Sequence, residues 1–525
     1  MRNWDVWSIK SFILLVLLIT TYGCATRDET SYVHPYESGK RFQAPIVDIN
    51  EYKLMHARLG LNEKLSLAVA ISGGGERAAN LGLGVLLGLE DIENKNLLRE
   101  VDYFSTVSGG GMPVAAYFSA LHSYNIEASR TGEEKPFSLN EIVHERNSDF
   151  SRNCKNNNVE DYYDNVRADF TADPCLLRHL ERGYHGNILR SFFNPRVTFT
   201  HLDRGDLLEE AFALELLGGN WNKNNHLTLG DVFIDKDDKE KKQKFPLWFT
   251  NATVFENGAI FPYTPGILEK YKISGYTHLT DDVKKAQNDS YREFAENMPL
   301  SLGLAASGNF PVLIAAQTLE SEADPINKYL HLLDGGLADN LGITTAISVL
   351  NQEKLPVTTK VLIVVDAYPG TFQPFSKLKG SPNFVKTYLD LTDIPLNSLR
   401  GRVLERTKLF KQGVGSCVVL ISFDELYQPS KGGNDFKEDA DEINNLFSKI
   451  KVHYSHGNGY SSLEKLRSQY PGLSPFAIAR GIKTSYNVTK EEQDFLIAVG
   501  KYLVDIKELE ILNAVTGSCQ NSGVK

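Results

Sequence analysis

The feature that most constrains this chain occurs twice near its start: a short apolar run, a glycine-rich turn, then a stretch with helical spacing. The first copy is LSLAVAI at residues 65–71, followed by SGGGERAAN and LGLGVLLGLEDIE. The second is VDYFSTVSGGGMPVAAYFSAL, where the run ends at Ser108. A nearly unbroken apolar run fits a strand covered on both faces, and such strands belong to parallel sheets. Successive parallel strands need a crossover, usually a helix. The pattern predicts an α/β chain with helices on both faces of a mainly parallel sheet. LWFTNATVF, YLHLLD, KVLIVVDA and CVVLISF continue the strand series. PLSLGLAASGNFPVL reads as a small-residue helix stopped before Pro311, and Thr489 with Glu492 as a capping box opening a last helix.

Charge and composition narrow the function. Lys plus Arg number 56 and Asp plus Glu 66, a net charge of −10. That balance disfavours nucleic acid as a partner, because neutralising phosphates requires clustered cations. Five cysteines in 525 residues exclude a disulfide-stapled miniature scaffold, and the sequence shows no repeat of solenoid length.

The first 23 residues read as an export signal. Arg2 and Lys10 precede an apolar run from Phe12 to Ile19, whose eight residues span only ~12 Å as a helix against a bilayer core of ~30 Å. Gly23-Cys24 follows and resembles the lipobox of bacterial lipoproteins, which implies cleavage before Cys24 and acylation of that cysteine. The alternative is an ordinary cleaved signal with Cys24 incidental. An anchored Cys24 followed by neutral Ala25 places the protein in the cell envelope, at the outer membrane rather than the inner. Residues 24–60 read as a tether and 61–525 as the main domain. An insertion at about 123–246 contains NCKNNNVEDYYDN and the charge run DKDDKEKKQK. Of the four remaining cysteines, Cys154 and Cys175 share this insertion and form the natural pair, leaving Cys417 and Cys519; four free thiols are the alternative. Within the insertion, Phe192-Phe193 between Arg190 and Arg196, and Tyr162-Tyr163, either pack a small satellite core or touch lipid.

Three turns carry chemistry. Gly73-Gly74-Gly75-Glu76-Arg77 opens a helix, where free amides meet an anion and Arg77 adds a planar cation. Thr106-Val107-Ser108-Gly109-Gly110 puts a serine at a strand-to-helix bend, as in a nucleophile elbow. Asp334-Gly335-Gly336 puts a carboxylate at a strand end, placed to accept the Ser108 proton. Each turn alone also occurs as plain structure.

Together, in this order, the three turns resemble the patatin-like phospholipases. Ser72–Arg77 matches the family's oxyanion motif, Ser108 its nucleophile and Asp334 its dyad aspartate. The segments FTNATVFENG, LAASGNFP and TSYNVTKEEQDFLIAVGKYLV add to the likeness, and Ser-Gly-Gly-Gly-x-Arg-Ala also resembles the group IV cytosolic phospholipases. The resemblance implies a three-layer α/β/α sandwich and a Ser–Asp dyad without histidine. It implies an oxyanion hole from Gly73, Gly74 and Gly75, with Arg77 sensing lipid phosphate or bracing the loop. It requires no metal and no cofactor. The implied substrate is a membrane phospholipid or lysophospholipid, reached from the membrane surface. Two rivals stay open. One is an α/β-hydrolase triad of Ser108, Asp334 and His453 or His456, though VHYSHGNGY reads as a solvent-facing loop. The other is a non-catalytic lipid-binding surface lipoprotein.

Overall fold

The computed structural model describes residues 45–519 apart from 54–61, 93–95, 132–136, 141–203, 218–226, 234–244, 278–282, 286–289, 312–313, 325, 327, 355, 370–398, 428–439, 455–458, 483 and 485–487. The described residues fall in one compact unit, Pro45–Lys525. The signal segment, Cys24, Cys154, Cys175, both aromatic pairs of the insertion and His456 lie outside the described residues.

Among the described residues ten strands form one sheet: β1 Leu65–Ile71, β2 Val101–Val107, β3 Leu247–Val254, β4 Ile260–Tyr263, β5 Ile273–Thr277, β6 Val283–Lys285, β7 Gln317–Ser321, β8 Tyr329–Asp334, β9 Thr359–Asp366 and β10 Ser416–Ser422. Their order is β10-β9-β1-β2-β3-β8-β7-β5-β6, with β4 on β3. The first five are mutually parallel, as the twice-repeated unit predicts. From β3 onward the pairing is antiparallel, so the sheet is mixed.

Every residue of β1 is buried, which requires cover on both faces. Helix α1, Gly75–Asp91, returns from β1, and α2, Gly111–Thr131, from β2. Helix α3, Arg204–Glu215, packs on α4, Leu300–Gly308, which also covers β3 and β8. Helix α5, Ile343–Asn351, lies against β1, β2 and β9. The long α6, Lys490–Val515, opens with the Thr489–Glu492 capping box and packs along α1. Gly84 and Gly500 let these two backbones touch: a Cβ on Gly84 would stand 2.2 Å from the Ile497 carbonyl oxygen. Among the described residues no helix is long and apolar enough to cross a membrane.

Two expected boundaries move. Residues 45–53 are not tether: Val47, Ile49 and Tyr52 are buried in the core, and Gln352 bonds the backbone of Val47 and Ile49. The tyrosine hydroxyl accepts the Gly266 amide at 3.0 Å. The end of the insertion joins the same core through Leu208, Phe212, Leu229 and Phe233.

Candidate active site

Strand register brings the chemistry together. Val107 pairs with Asn251, and Ala252 with Asp334. The nucleophile candidate follows one strand end and the acid ends another, with only β3 between them. Both then turn sharply. Ser108 has φ 50, a left-handed conformation that a non-glycine residue adopts only where its surroundings enforce it. Its hydroxyl stands near enough to the Asp334 carboxylate to favour that group's ionised form, and the carboxylate accepts the Gly336 amide at 2.8 Å. Asp334 is only 4% exposed. Burial pushes its carboxyl up to about 6, against the lowering effect of those two neighbours.

The glycine turn stands over Ser108. A Cβ on Gly73 would lie 3.3 Å from the Ser108 Cβ. Gly74 and Gly75 have φ 150 and 58, so the turn favours glycine there. Their amides donate to no other described residue, and they sit at the positive end of α1. The Gly73 amide is different: it donates to the Asn340 carbonyl oxygen at 2.9 Å. Of the expected trio, Gly73 thus has its amide committed elsewhere, and Gly74 and Gly75 do not.

Arg77 also departs from the anion-sensing reading. It is 2% exposed, and its guanidinium donates to the Ala367 carbonyl (2.8 Å), the Ile482 carbonyl (2.7 Å) and the Thr484 hydroxyl (2.9 Å). It is placed as a brace that ties the glycine turn to the segments after β9 and before α6.

No histidine joins the pair: among the described residues, the partners of the Asp334 carboxylate are Gly336 and Ser108. His453 is half-buried rather than solvent-facing, against the Tyr502 ring and 3.6 Å from Asp505. The neighbouring Val504 packs on Gly88, thirteen residues along α1 from Gly75, or about 20 Å at the helical rise. His453 therefore stands at the far end of α1 from Ser108. Among the described residues no group of His, Cys, Asp and Glu is arranged to hold a metal.

The profile of the family described as patatin-like phospholipase matches residues 69–347, more than half of the sequence. The chain belongs to the patatin-like phospholipase family. That makes it a member of a lipid-hydrolase family. No curated protein matches the sequence. Among solved structures, human GIVD cytosolic phospholipase A2 is similar at 13% identity and a TM-score of 0.36, over 87% of this chain and 60% of that one. The patatin-like chain thus spans 60% of that structure's length. VipD from Legionella pneumophila follows at 10% identity and 0.25, over 84% of this chain and 92% of that one. Superpositions this loose carry no argument about the site.

Three residues of the site escaped the sequence reading. Ser307, Asn251 and Asn340 lie in or beside segments that carried the family likeness, yet nothing local marked them. The two partners of the Ser307 hydroxyl alone lie 56 and 199 residues away.

Proposed function

We propose that this protein hydrolyses the carboxylic esters of membrane phospholipid or lysophospholipid through an acyl-enzyme on Ser108. Asp334 takes the hydroxyl proton as Oγ attacks the ester carbonyl. The amides of Gly74 and Gly75 receive the developing oxyanion, each worth roughly 10²–10³-fold in rate. The tetrahedral adduct collapses, and Asp334 returns the proton to the departing alcohol. Water, deprotonated by the same carboxylate, then attacks the acyl-enzyme, freeing the fatty acid and restoring the Ser108 hydroxyl. The observation that carries this reading is the Ser108 hydroxyl on a buried carboxylate at a left-handed bend.

Ser108→Ala should abolish hydrolysis of a short-chain ester and labelling by a fluorophosphonate while leaving the melting temperature within a few degrees. Labelling at another serine would defeat the assignment, and a folded wild type that takes no label would favour a non-catalytic lipid binder. We further propose that Cys24 anchors the protein in the cell envelope, at the outer membrane. Mass spectrometry of membrane-extracted protein should find an acylated Cys24 N-terminus; an unmodified Ala25 or Thr26 there would sink the idea.

A further inference from the structure

Both halves of the site hang from the last turn of α4. The Ser307 hydroxyl accepts the Ser108 amide at 2.9 Å and lies 2.6 Å from the Asn251 carbonyl oxygen. The Ser307 carbonyl accepts the Gly335 amide at 3.1 Å, and the Asn309 carbonyl accepts the Asp334 amide at 3.0 Å. The sense of the hydroxyl is fixed. An amide only donates and a carbonyl only accepts, so the Ser307 proton points at Asn251 and a lone pair at Ser108. Asn251 is itself immobilised, donating to Ser105 Oγ and the Thr106 carbonyl at 3.0 Å each and accepting from Thr345 Oγ1 at 2.6 Å. Ser307 is 1% exposed, so bulk water has no route to replace its hydroxyl.

We propose that Ser307 is a positioning residue for the reaction. Its hydroxyl fixes the backbone of Ser108 in the left-handed bend, while its own carbonyl and that of Asn309 fix the Asp334 turn. One turn of helix thereby sets the separation of nucleophile and base. Ser307 touches no substrate and acts only through the pair. The inference rests on the Ser–Asp reading above. It also commits the Ser108 amide, which leaves oxyanion binding to Gly74 and Gly75.

The test uses the full chain, with the rate of fluorophosphonate labelling and the kcat and KM for a short-chain ester as readouts. Ser307→Ala should lower kcat about 30-fold and leave KM within about twofold, the effect of a loosened reacting geometry. The labelling rate should fall in parallel. In an Asp334→Asn background there is no base left to position, and the same substitution should slow residual labelling less than about threefold. Equal losses in both backgrounds, or wild-type kcat in the folded Ala variant, overturn the proposal. Should the Ala variant not fold, Ser307→Cys keeps the volume with a much weaker acceptor, and its kcat should fall about tenfold or more. Wild-type kcat in that variant overturns it equally. An active Ser108→Ala would defeat the Ser–Asp reading itself. An inactive Ser108→Ala beside an unimpaired Ser307→Ala defeats the positioning role alone.

Discussion

Asp334 holds its charge where burial resists it, and two measurable consequences follow at the scale of this residue. The unfolded carboxyl ionises near 3.8 and the folded one at about 6. As the proposed base, Asp334 must be ionised, so kcat/KM should rise with pH through about 6. A profile flat across that range would place the base elsewhere. For stability the sign is opposite. Between those two values the folded state keeps a proton that the unfolded state has lost, so stability declines as pH rises from 3.8 to 6. Above 6 the full penalty remains, about 3 kcal/mol. Asp334→Asn should therefore be inactive yet melt higher than wild type at pH 8, with the gain vanishing near pH 4. Residues of this kind were legible in the sequence, because Ser108 and Asp334 sit at strand ends followed by glycine. The fate of the Gly73 amide and of Arg77 was not. A loop amide or a guanidinium declares its partner only when distant segments arrive, here Asn340 and residues 367, 482 and 484.

Among the elements, the crossing of α1 and α6 depends on missing side chains. A Cβ on Gly500 would lie 2.5 Å from the Leu81 carbonyl oxygen and 2.8 Å from the Gly84 Cα. Alanine is the better helix former by about 1 kcal/mol. Overpacking two backbones costs more, typically 1–3 kcal/mol. Gly84→Ala should thus lower the urea midpoint, and a raised midpoint would mean that α6 is not docked there. The helices and the five parallel strands could be read from apolar runs, since each is covered on both sides and needs little polar alternation. The antiparallel wing beyond β8 could not. Strand β7 reads QTLES and is half-exposed, so its pairing with β8 and β5 comes from tertiary contact rather than from its own pattern.

Across the whole molecule, one covalent link spans the longest reach. Cys417 in β10 and Cys519 beyond α6 are joined across 102 residues, with Cα atoms 5.9 Å apart. The sequence left this pairing open beside that of Cys154 and Cys175. Closing a loop of that length is worth about 4–5 kcal/mol in the chain-entropy account. Reduction should lower the melting temperature, and Cys417→Ser with Cys519→Ser should melt at that lower value with or without reductant. A wild type insensitive to reductant would show that the bond contributes nothing. The α1–α6 contact has another consequence, one of timing. About 400 residues separate Asp91 from Lys490. At ribosomal rates of roughly 5–20 residues per second, some 20–80 s pass between the synthesis of the two helices. Throughout that interval α1 waits without its companion, and the turn at its head can meet Asn340 and Ala367 but not yet Ile482 and Thr484. The frame of the glycine turn is therefore completed in stages along the chain, and its last contacts, at Ile482 and Thr484, come just ahead of the last helix.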